Sequence, residues 1–176
     1  MRNLLVITAV GSDRPGIVND LGKSVAESGC NIEDSRMTVL GGEFAVILLV
    51  SGRWNQLAKL EGNLPVVGRR LDLQLTIKRT EPAKSRGNLM PYAVEVVSLD
   101  HPGIVHQLAN FFSSREINIR DMVTSSYAAA HTGTQMFSVH MTIDVPGSVH
   151  ISGLREEFLE FCDQLNLDAI MEPVKG

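Results

Sequence analysis

The first apolar run of the chain covers residues 4–10, which are mostly leucine, valine and isoleucine, and it ends at the turn-forming residues Gly11-Ser12-Asp13. A short β-branched run of this kind is typical of a buried central strand. Apolar residues then recur with helical spacing at Ile17, Val18, Leu21 and Val25. This spacing predicts a helix with one buried face, and Gly29 is suited to end it.

Two further strands are predicted over residues 32–40 and 43–50, because Gly41-Gly42 between two strand-like runs is a hairpin signal. Residues 53–64 then show helical periodicity, with inward positions predicted at Trp54, Leu57, Ala58 and Leu64. A last strand is predicted over 71–77, where apolar and polar residues alternate. The predicted order of elements is β-α-β-β-α-β.

A long motif occurs twice in the chain. Asp13-Arg14-Pro15-Gly16-Ile17-Val18 recurs 87 residues later as Asp100-His101-Pro102-Gly103-Ile104-Val105, and Asn31-Ile32-Glu33-Asp34 recurs at the same offset as Asn118-Ile119-Arg120-Asp121. The second copy closes with a predicted helix at about 149–165 and a strand at 167–172. The chain is therefore a tandem duplication, and we expect domains at 1–80 and 91–176 with a linker at 81–90.

Each copy predicts an α+β domain of the ferredoxin-like (βαββαβ) type, with an antiparallel sheet and both helices on one face. Strand 43–50 has apolar residues on both of its faces. Since helices cover only one face of such a sheet, the other face needs a cover. The other copy of the repeat and a second chain are the candidates, and we expect a homo-oligomer.

The formal net charge of −4 is unevenly distributed: residues 1–87 carry 12 Lys and Arg against 9 Asp and Glu, whereas residues 88–176 carry 4 against 11. An acidic chain without interleaved aromatic and basic residues is a poor candidate for direct nucleic-acid binding. There is no signal segment after Met1 and no run long enough to span a bilayer. We expect a cytoplasmic protein that does not bind membranes and whose two cysteines are reduced.

Signatures of catalysis are missing from the sequence. It contains no nucleophile elbow, no His-Glu-x-x-His and no dinucleotide fingerprint, and no histidine pair has a metal-ligand spacing. His140 alternates with apolar neighbours and is therefore predicted on the wetter face of its strand. The sequence thus favours a binding protein without cofactor or metal over an enzyme.

The repeated motif has two interpretations. In the structural one, Asp13 and Asp100 cap the following helices, Pro15 and Pro102 lie in the first turn, the glycines permit tight packing, and the asparagines turn the chain. In the functional one, the spacing of 15 residues between Gly16 and Asn31, kept between Gly103 and Asn118, brings two loops to nearby ends of neighbouring elements and forms a small-molecule site. The residues alone do not decide between them.

A β-α-β-β-α-β unit with Asp-x-Pro-Gly-Ile-Val before its first helix and Asn-Ile at its second strand resembles the ACT domain, an amino-acid-sensing regulatory module. The resemblance covers both copies and implies an effector site at the interface between two modules. Carried onto this sequence, it implies ligand-binding roles for Asp13, Arg14, Gly16, Asn31, Asp100, His101, Gly103 and Asn118.

A pair of such domains with Asp-Arg-Pro-Gly in the first and Asp-His-Pro-Gly in the second is similar to the glycine cleavage system transcriptional repressor family. That resemblance implies a non-enzymatic repressor that contacts a LysR-type activator rather than DNA and releases it when glycine is present. A detached regulatory subunit of an amino-acid or one-carbon metabolic enzyme is the alternative. Ligand identity, the number of working sites and the partner-binding face stay open at this point.

Overall fold

The computed structural model describes residues 3–83 and 87–174. The chain divides into two compact units, Met1–Lys84 and Ser85–Gly176. Part of the predicted linker at 81–90, including Lys84 and Arg86, lies outside the described residues.

The first unit has the predicted order of elements. It consists of β1 (Asn3–Ser12), α1 (Ile17–Glu27), β2 (Asn31–Leu40), β3 (Glu43–Gly52), α2 (Trp54–Leu71) and β4 (Gln74–Thr80). Its four strands lie in the order β2-β3-β1-β4, and every neighbouring pair is antiparallel.

The second unit repeats this arrangement with β5 (Leu89–Leu99), α3 (Ile104–Ser113), β6 (Asn118–Ala128), β7 (Gln135–Pro146), α4 (Ile151–Gln164) and β8 (Asp168–Pro173). Its sheet order is β6-β7-β5-β8, again with antiparallel pairs. The prediction of two ferredoxin-like α+β domains in tandem is therefore confirmed.

Each unit has a hydrophobic core of its own between its helices and its sheet. In the first unit the core is aliphatic apart from Phe44, and Leu5 and Ile7 of β1 and Leu57 and Leu60 of α2 are fully buried in it. In the second unit it is aromatic, and the rings of Phe112 and Phe158 lie 5.1 Å apart between α3 and α4. Helical and strand periodicities thus bury one face of each helix and of the central strands β1, β3, β5 and β7, whereas every residue of the edge strand β2 is exposed.

Helix α2 is longer than predicted. The helix is predicted over residues 53–64, but it continues through Pro65 to Leu71. Proline removes one backbone hydrogen bond, yet the apolar stripe continues in register beyond it. That stripe comprises Leu57, Leu60, Leu64, Val67 and Leu71, all of which are buried. Tertiary packing therefore outweighs the helix-breaking tendency of Pro65, and β4 starts at Gln74 rather than at residue 71.

The inward position predicted for Trp54 is wrong. Trp54 is the first residue of α2 and is 67% exposed. The guanidinium carbon of Arg79 lies 5.7 Å from the centre of the indole ring. The helical period alone therefore does not decide the burial of a residue in the first turn.

The Gly41-Gly42 hairpin is confirmed. Both glycines have positive φ, +61° and +90°, which is the requirement of a two-residue turn whose twist matches the flanking strands. The turn joins β2 to β3 in direct register, with Leu40 opposite Glu43.

Two glycines of α2 provide a matched test of packing against the sheet. A Cβ added at Gly68 would lie 2.7 Å from Cδ1 of Leu75 and 3.2 Å from the backbone oxygen of Leu73, whereas one added at Gly62 meets nothing within 4 Å. We therefore expect Gly68→Ala to lower the free energy of unfolding by about 1–2 kcal/mol, because overpacking exceeds the gain in helix propensity.

In the same urea titration, Gly62→Ala is expected to raise the free energy of unfolding by about 0.5–1 kcal/mol. Equal effects of the two alanines would contradict the close approach of α2 to β4.

Candidate functional site

The two repeated loops have the same backbone conformation. Gly16 precedes α1 with φ +96° and ψ −11°, and Gly103 precedes α3 with φ +97° and ψ −6°. Both are the N-cap residues of their helices, and both lie in the left-handed region, where a Cβ is strained. Glycine is therefore required at both positions by the turn itself.

This geometry contradicts the structural interpretation at three of its points. Neither helix has a side-chain cap, so Asp13 and Asp100 do not cap them. Pro15 lies before the N-cap and not in the first turn, since α1 begins at Ile17. An added Cβ at Gly16 or Gly103 meets nothing within 4 Å, so the glycines are not there to permit close packing.

We name each segment a corner: Asp13–Gly16 in the first unit and Asp100–Gly103 in the second. All residues of both corners are exposed. The first backbone N–H groups of an α-helix have no partner within the helix and lie at its positive end. With no capping side chain, the corner leaves these N–H groups to solvent or to an anion.

An acidic side chain stands beside each helix end. The backbone N–H of Asp13 donates to the carbonyl of Gly42 at 3.0 Å, and that of Asp100 donates to the carbonyl of Gln135 at 2.9 Å. These bonds fix both corners to the adjacent β-strands. Each corner therefore places an aspartate three residues before the N-cap glycine of an uncapped helix.

The two corners differ in how the carboxylate is held. The hydroxyl of Ser126 in β6 donates to Oδ2 of Asp100 at 3.1 Å. The position that matches Ser126 in the first unit is Val39, which has no hydroxyl to donate. Within residues 3–83 and 87–174, the side chain of Asp13 has no hydrogen bond or ion pair. Asp100 is thus oriented by the protein, and Asp13 is not.

Arg14 and His101 occupy equivalent positions and are both exposed. Nδ1 of His101 lies 3.1 Å from the carbonyl oxygen of Pro102, a hydrogen bond that requires the proton on Nδ1. In the neutral ring Nε2 is then an acceptor, whereas the guanidinium of Arg14 can only donate. The two corners therefore present different chemistry to a ligand.

Asn31 and Asn118 are not near the corners of their own units. Each begins the strand that follows the helix, so α1 or α3 separates it from the corner by about 15 Å of helix. Asn31 pairs with Ser51 at one end of β3, while Asp13 bonds to Gly42 beyond the other end. The expectation that the repeat spacing brings the two loops of one copy together is therefore wrong.

A groove in the second unit supports the same conclusion. It has a volume of about 340 Å³ and is lined by one side of α3 and by the start of β6, including His106, Asn110 and Asn118. None of Asp100, His101 or Gly103 lines it. Within one unit, the corner and the asparagine are separate surfaces.

The sequence analysis misses a pair of interacting residues at a β-bulge in each unit. Residue 33 bulges between Ile32 and Asp34, and Arg120 bulges at the matching point of β6. The hydroxyl of Ser51 donates to Glu33, and Arg120 forms an ion pair with Asp144, which is 5% exposed. The sequence signal that could have indicated these pairs is the third residue of the Asn-Ile-x-Asp motif, which differs between the two copies.

Metal-ligating side chains do not cluster in the described parts of the chain. No group of three or more His, Cys, Asp and Glu side chains in 3–83 and 87–174 could hold a metal ion. His140 is on the exposed face of β7, as predicted, 3.6 Å from Glu95. No helix among these residues is long and apolar enough to cross a bilayer.

Comparison with known proteins identifies the class of the chain. Residues 3–78 match the family model of the ACT domain. The second unit has the same element and strand order, so the protein is a tandem ACT-domain protein. It is 35% identical over 165 residues to the glycine cleavage system transcriptional repressor of Escherichia coli (strain K12), covering 94% of this chain and 87% of that one. The chain belongs to the glycine cleavage system transcriptional repressor family.

Solved structures agree over the whole chain. A crystal structure provisionally described as a glycine cleavage system transcriptional repressor has a TM-score of 0.76 and 32% identity, covering 100% of this chain and 99% of that one. An unknown protein from Galdieria sulphuraria has a TM-score of 0.81 and 26% identity, with coverage of 99% and 100%. The family resemblance predicted from the repeated motif is confirmed, and the homology makes the chain a regulatory ACT protein.

The two thiols are expected to differ in reactivity. Burial, reinforced by the charge of Asp163, raises the pKa of Cys162 to about 12. Burial also raises the pKa of Cys30, but Cys30 is half-buried and Lys59 partly offsets the effect. Since the thiolate is the reactive form, we expect a disulfide reagent at mildly alkaline pH to modify Cys30 alone in the native protein.

Cys162 should react only after unfolding, and Cys30→Ala should remove the native-state reaction altogether. Equal rates for the two thiols in the folded protein would contradict the burial of Cys162.

Proposed function

We propose that this protein is a non-enzymatic sensor of a small amino acid, with glycine as the first candidate, and that it regulates transcription through a protein partner. The observation that carries the proposal is the repeated corner, in which an uncapped helix N-terminus lies beside an exposed aspartate. The family of the chain supports the choice of ligand class, since the Escherichia coli relative is a glycine cleavage system transcriptional repressor.

The corner matches the two charges of an amino acid zwitterion. The ligand carboxylate accepts hydrogen bonds from the N–H groups that follow Gly16 or Gly103, at the positive end of the helix. The ligand ammonium donates to the carboxylate of Asp13 or Asp100. Glycine at the N-cap leaves the backbone open on this side, because no side chain stands between the N–H groups and solvent.

The two corners are proposed to differ in affinity. Asp100 is already oriented by Ser126, so less conformational entropy is lost when it binds an ammonium group. Asp13 lacks such a bond, but Arg14 beside it adds a donor for a carboxylate. His101, at the equivalent position, adds an acceptor in its neutral form.

We propose that Asn31 and Asn118 also contact the ligand. Each asparagine would contact a ligand held by the corner of a different copy of the module. Within one unit a single amino acid cannot reach both, because about 15 Å of helix separates them. An asparagine carboxamide offers both an acceptor and donors to a zwitterion. Binding that requires two copies of the module would couple occupancy to their packing.

The output of the sensor is proposed to be a changed surface for a transcription factor of the LysR type, released when glycine binds. A difference in affinity of about 1–3 kcal/mol between two packings is enough for such coupling. Direct DNA contact is not part of the proposal, since residues 88–176 carry 4 basic against 11 acidic side chains. No cofactor is needed, and a cytoplasmic location follows from the proposed partner.

The ligand proposal is tested by isothermal titration with glycine. Asp13→Asn combined with Asp100→Asn removes both ammonium partners, and we expect glycine affinity to fall at least about tenfold. Asp163→Asn, on the exposed face of α4, is the matched control and should leave affinity unchanged. No heat with glycine, serine or alanine in the unmodified protein would overturn the proposal.

The contribution of the asparagines is tested separately by thermal shift, because a ligand that binds only the folded state raises its apparent stability. Asn31→Ala combined with Asn118→Ala is expected to remove the shift caused by glycine. A full shift in this variant would mean that the corner alone holds the ligand.

The partner is tested by affinity capture with the intact protein, with and without glycine. We expect a LysR-type activator to be captured and to be released by glycine. Capture of a metabolic enzyme instead would favour the alternative of a regulatory subunit acting on that enzyme.

A further inference from the structure

The sheet of the first unit has an apolar face that its own helices do not cover. Helices α1 and α2 pack on the face formed by Leu5, Ile7 and their neighbours. The opposite face carries a stripe along the two central strands, in which Ile47 is 47% and Val10 is 44% exposed. Its other apolar members, which are half-buried, are Leu4, Val6, Ala45 and Leu49. We call this surface the open face.

The open face has the composition of a protein interface. Its apolar stripe on β1 and β3 is flanked by polar residues of the two edge strands, which include Asp34 and Arg36 on β2 and Thr76 and Lys78 on β4. An exposed apolar patch with a polar rim is the usual anatomy of a surface that binds another protein.

The corresponding face of the second sheet has a charged centre, which exposed Val123 and Ile170 flank in the same row. The central cross-strand pair of the open face is Thr8 opposite Ile47, and the matching pair in the second sheet is Glu95 opposite His140. The carboxylate of Glu95 and the imidazole of His140 lie 3.6 Å apart and are more than half exposed. Burial of these groups beneath an apolar sheet would cost free energy, because they would lose their hydrogen bonds to water and gain none from the apolar side chains.

We propose that the open face is the docking surface for the same face of a second copy of this chain. Like faces are complementary in their centres because both are apolar. Strands about 4.8 Å apart, rising about 3.3 Å per residue, give a four-stranded face an area on the order of 500 Å². Two such faces bury about 1,000 Å² in total, which is the lower limit for a specific interface and predicts a dimer that dissociates on dilution.

The charges at the rim favour one arrangement of the two copies. Residues Asp34, Leu49, Val6 and Lys78 lie in one row across the sheet, with a carboxylate at the β2 edge, where Arg36 of the same strand pairs with it, and an ammonium group at the β4 edge. A two-fold axis parallel to the strands places the β2 edge of each copy over the β4 edge of the other. This arrangement sets Asp34 opposite Lys78 of the second copy at both ends of the row.

The docking surface is tested by sedimentation velocity over a wide range of protein concentration. We expect a concentration-dependent dimer, and Ile47→Lys should weaken dimerisation at least about tenfold without loss of folded structure, because Ile47 is solvent-accessible in the monomer. His140→Lys places the same side chain at the matching position of the second sheet and should leave the dimer intact. A monomer at all concentrations, or a dimer unaffected by Ile47→Lys, would overturn the proposal.

The two-fold arrangement is tested by charge reversal. Asp34→Lys should weaken the dimer through like charges facing Lys78 of the second copy, and Asp34→Lys combined with Lys78→Asp should restore it. If the double variant does not recover dimerisation, the proposed two-fold axis parallel to the strands is wrong. Glycine titration of the Ile47→Lys variant separates this proposal from ligand sensing. If the variant has lost the dimer but still gives heat with glycine, the substitution has affected only the open face.

Discussion

The left-handed conformation of Gly16 and Gly103 is the constraint on which the candidate site depends. A residue at the N-cap normally closes the helix end with its own side chain, but here the backbone turns in a region that excludes side chains. The helix end is left open for that reason. An uncapped helix N-terminus follows from this one turn, and the chain forms it twice.

The two units keep one backbone and differ in side-chain chemistry. At the bulge, a glutamate that accepts from Ser51 in the first unit is replaced by Arg120 paired with Asp144 in the second. At the centre of the free sheet face, Ile47 of the first unit corresponds to His140 of the second. Duplication thus preserved what the fold requires and changed the exposed side chains, with Thr8 and Ile47 at the centre of one face and Glu95 and His140 at the centre of the other.

Much of the fold follows from local sequence signals. The hairpin at Gly41-Gly42 and the repeated order of elements are encoded by turn residues and by apolar periodicity. Helix α2 passes through Pro65 because its buried apolar stripe continues beyond the proline. That stripe is stabilised by contacts with the sheet, and local sequence rules do not predict such contacts. The same limit applies to the site: the spacing of Gly16 and Asn31 is visible in the sequence, but the direction of the intervening helix, which separates them, is a tertiary fact.

The central claim is that the open helix ends of the corners bind an amino acid carboxylate. Backbone amide chemical shifts during a glycine titration test it most directly, because they report on the N–H groups themselves. The account predicts saturable shifts for the amides of Ile17, Val18, Ile104 and Val105 at the starts of α1 and α3. Shifts confined to other parts of the chain, with these amides unchanged at saturating glycine, would contradict it.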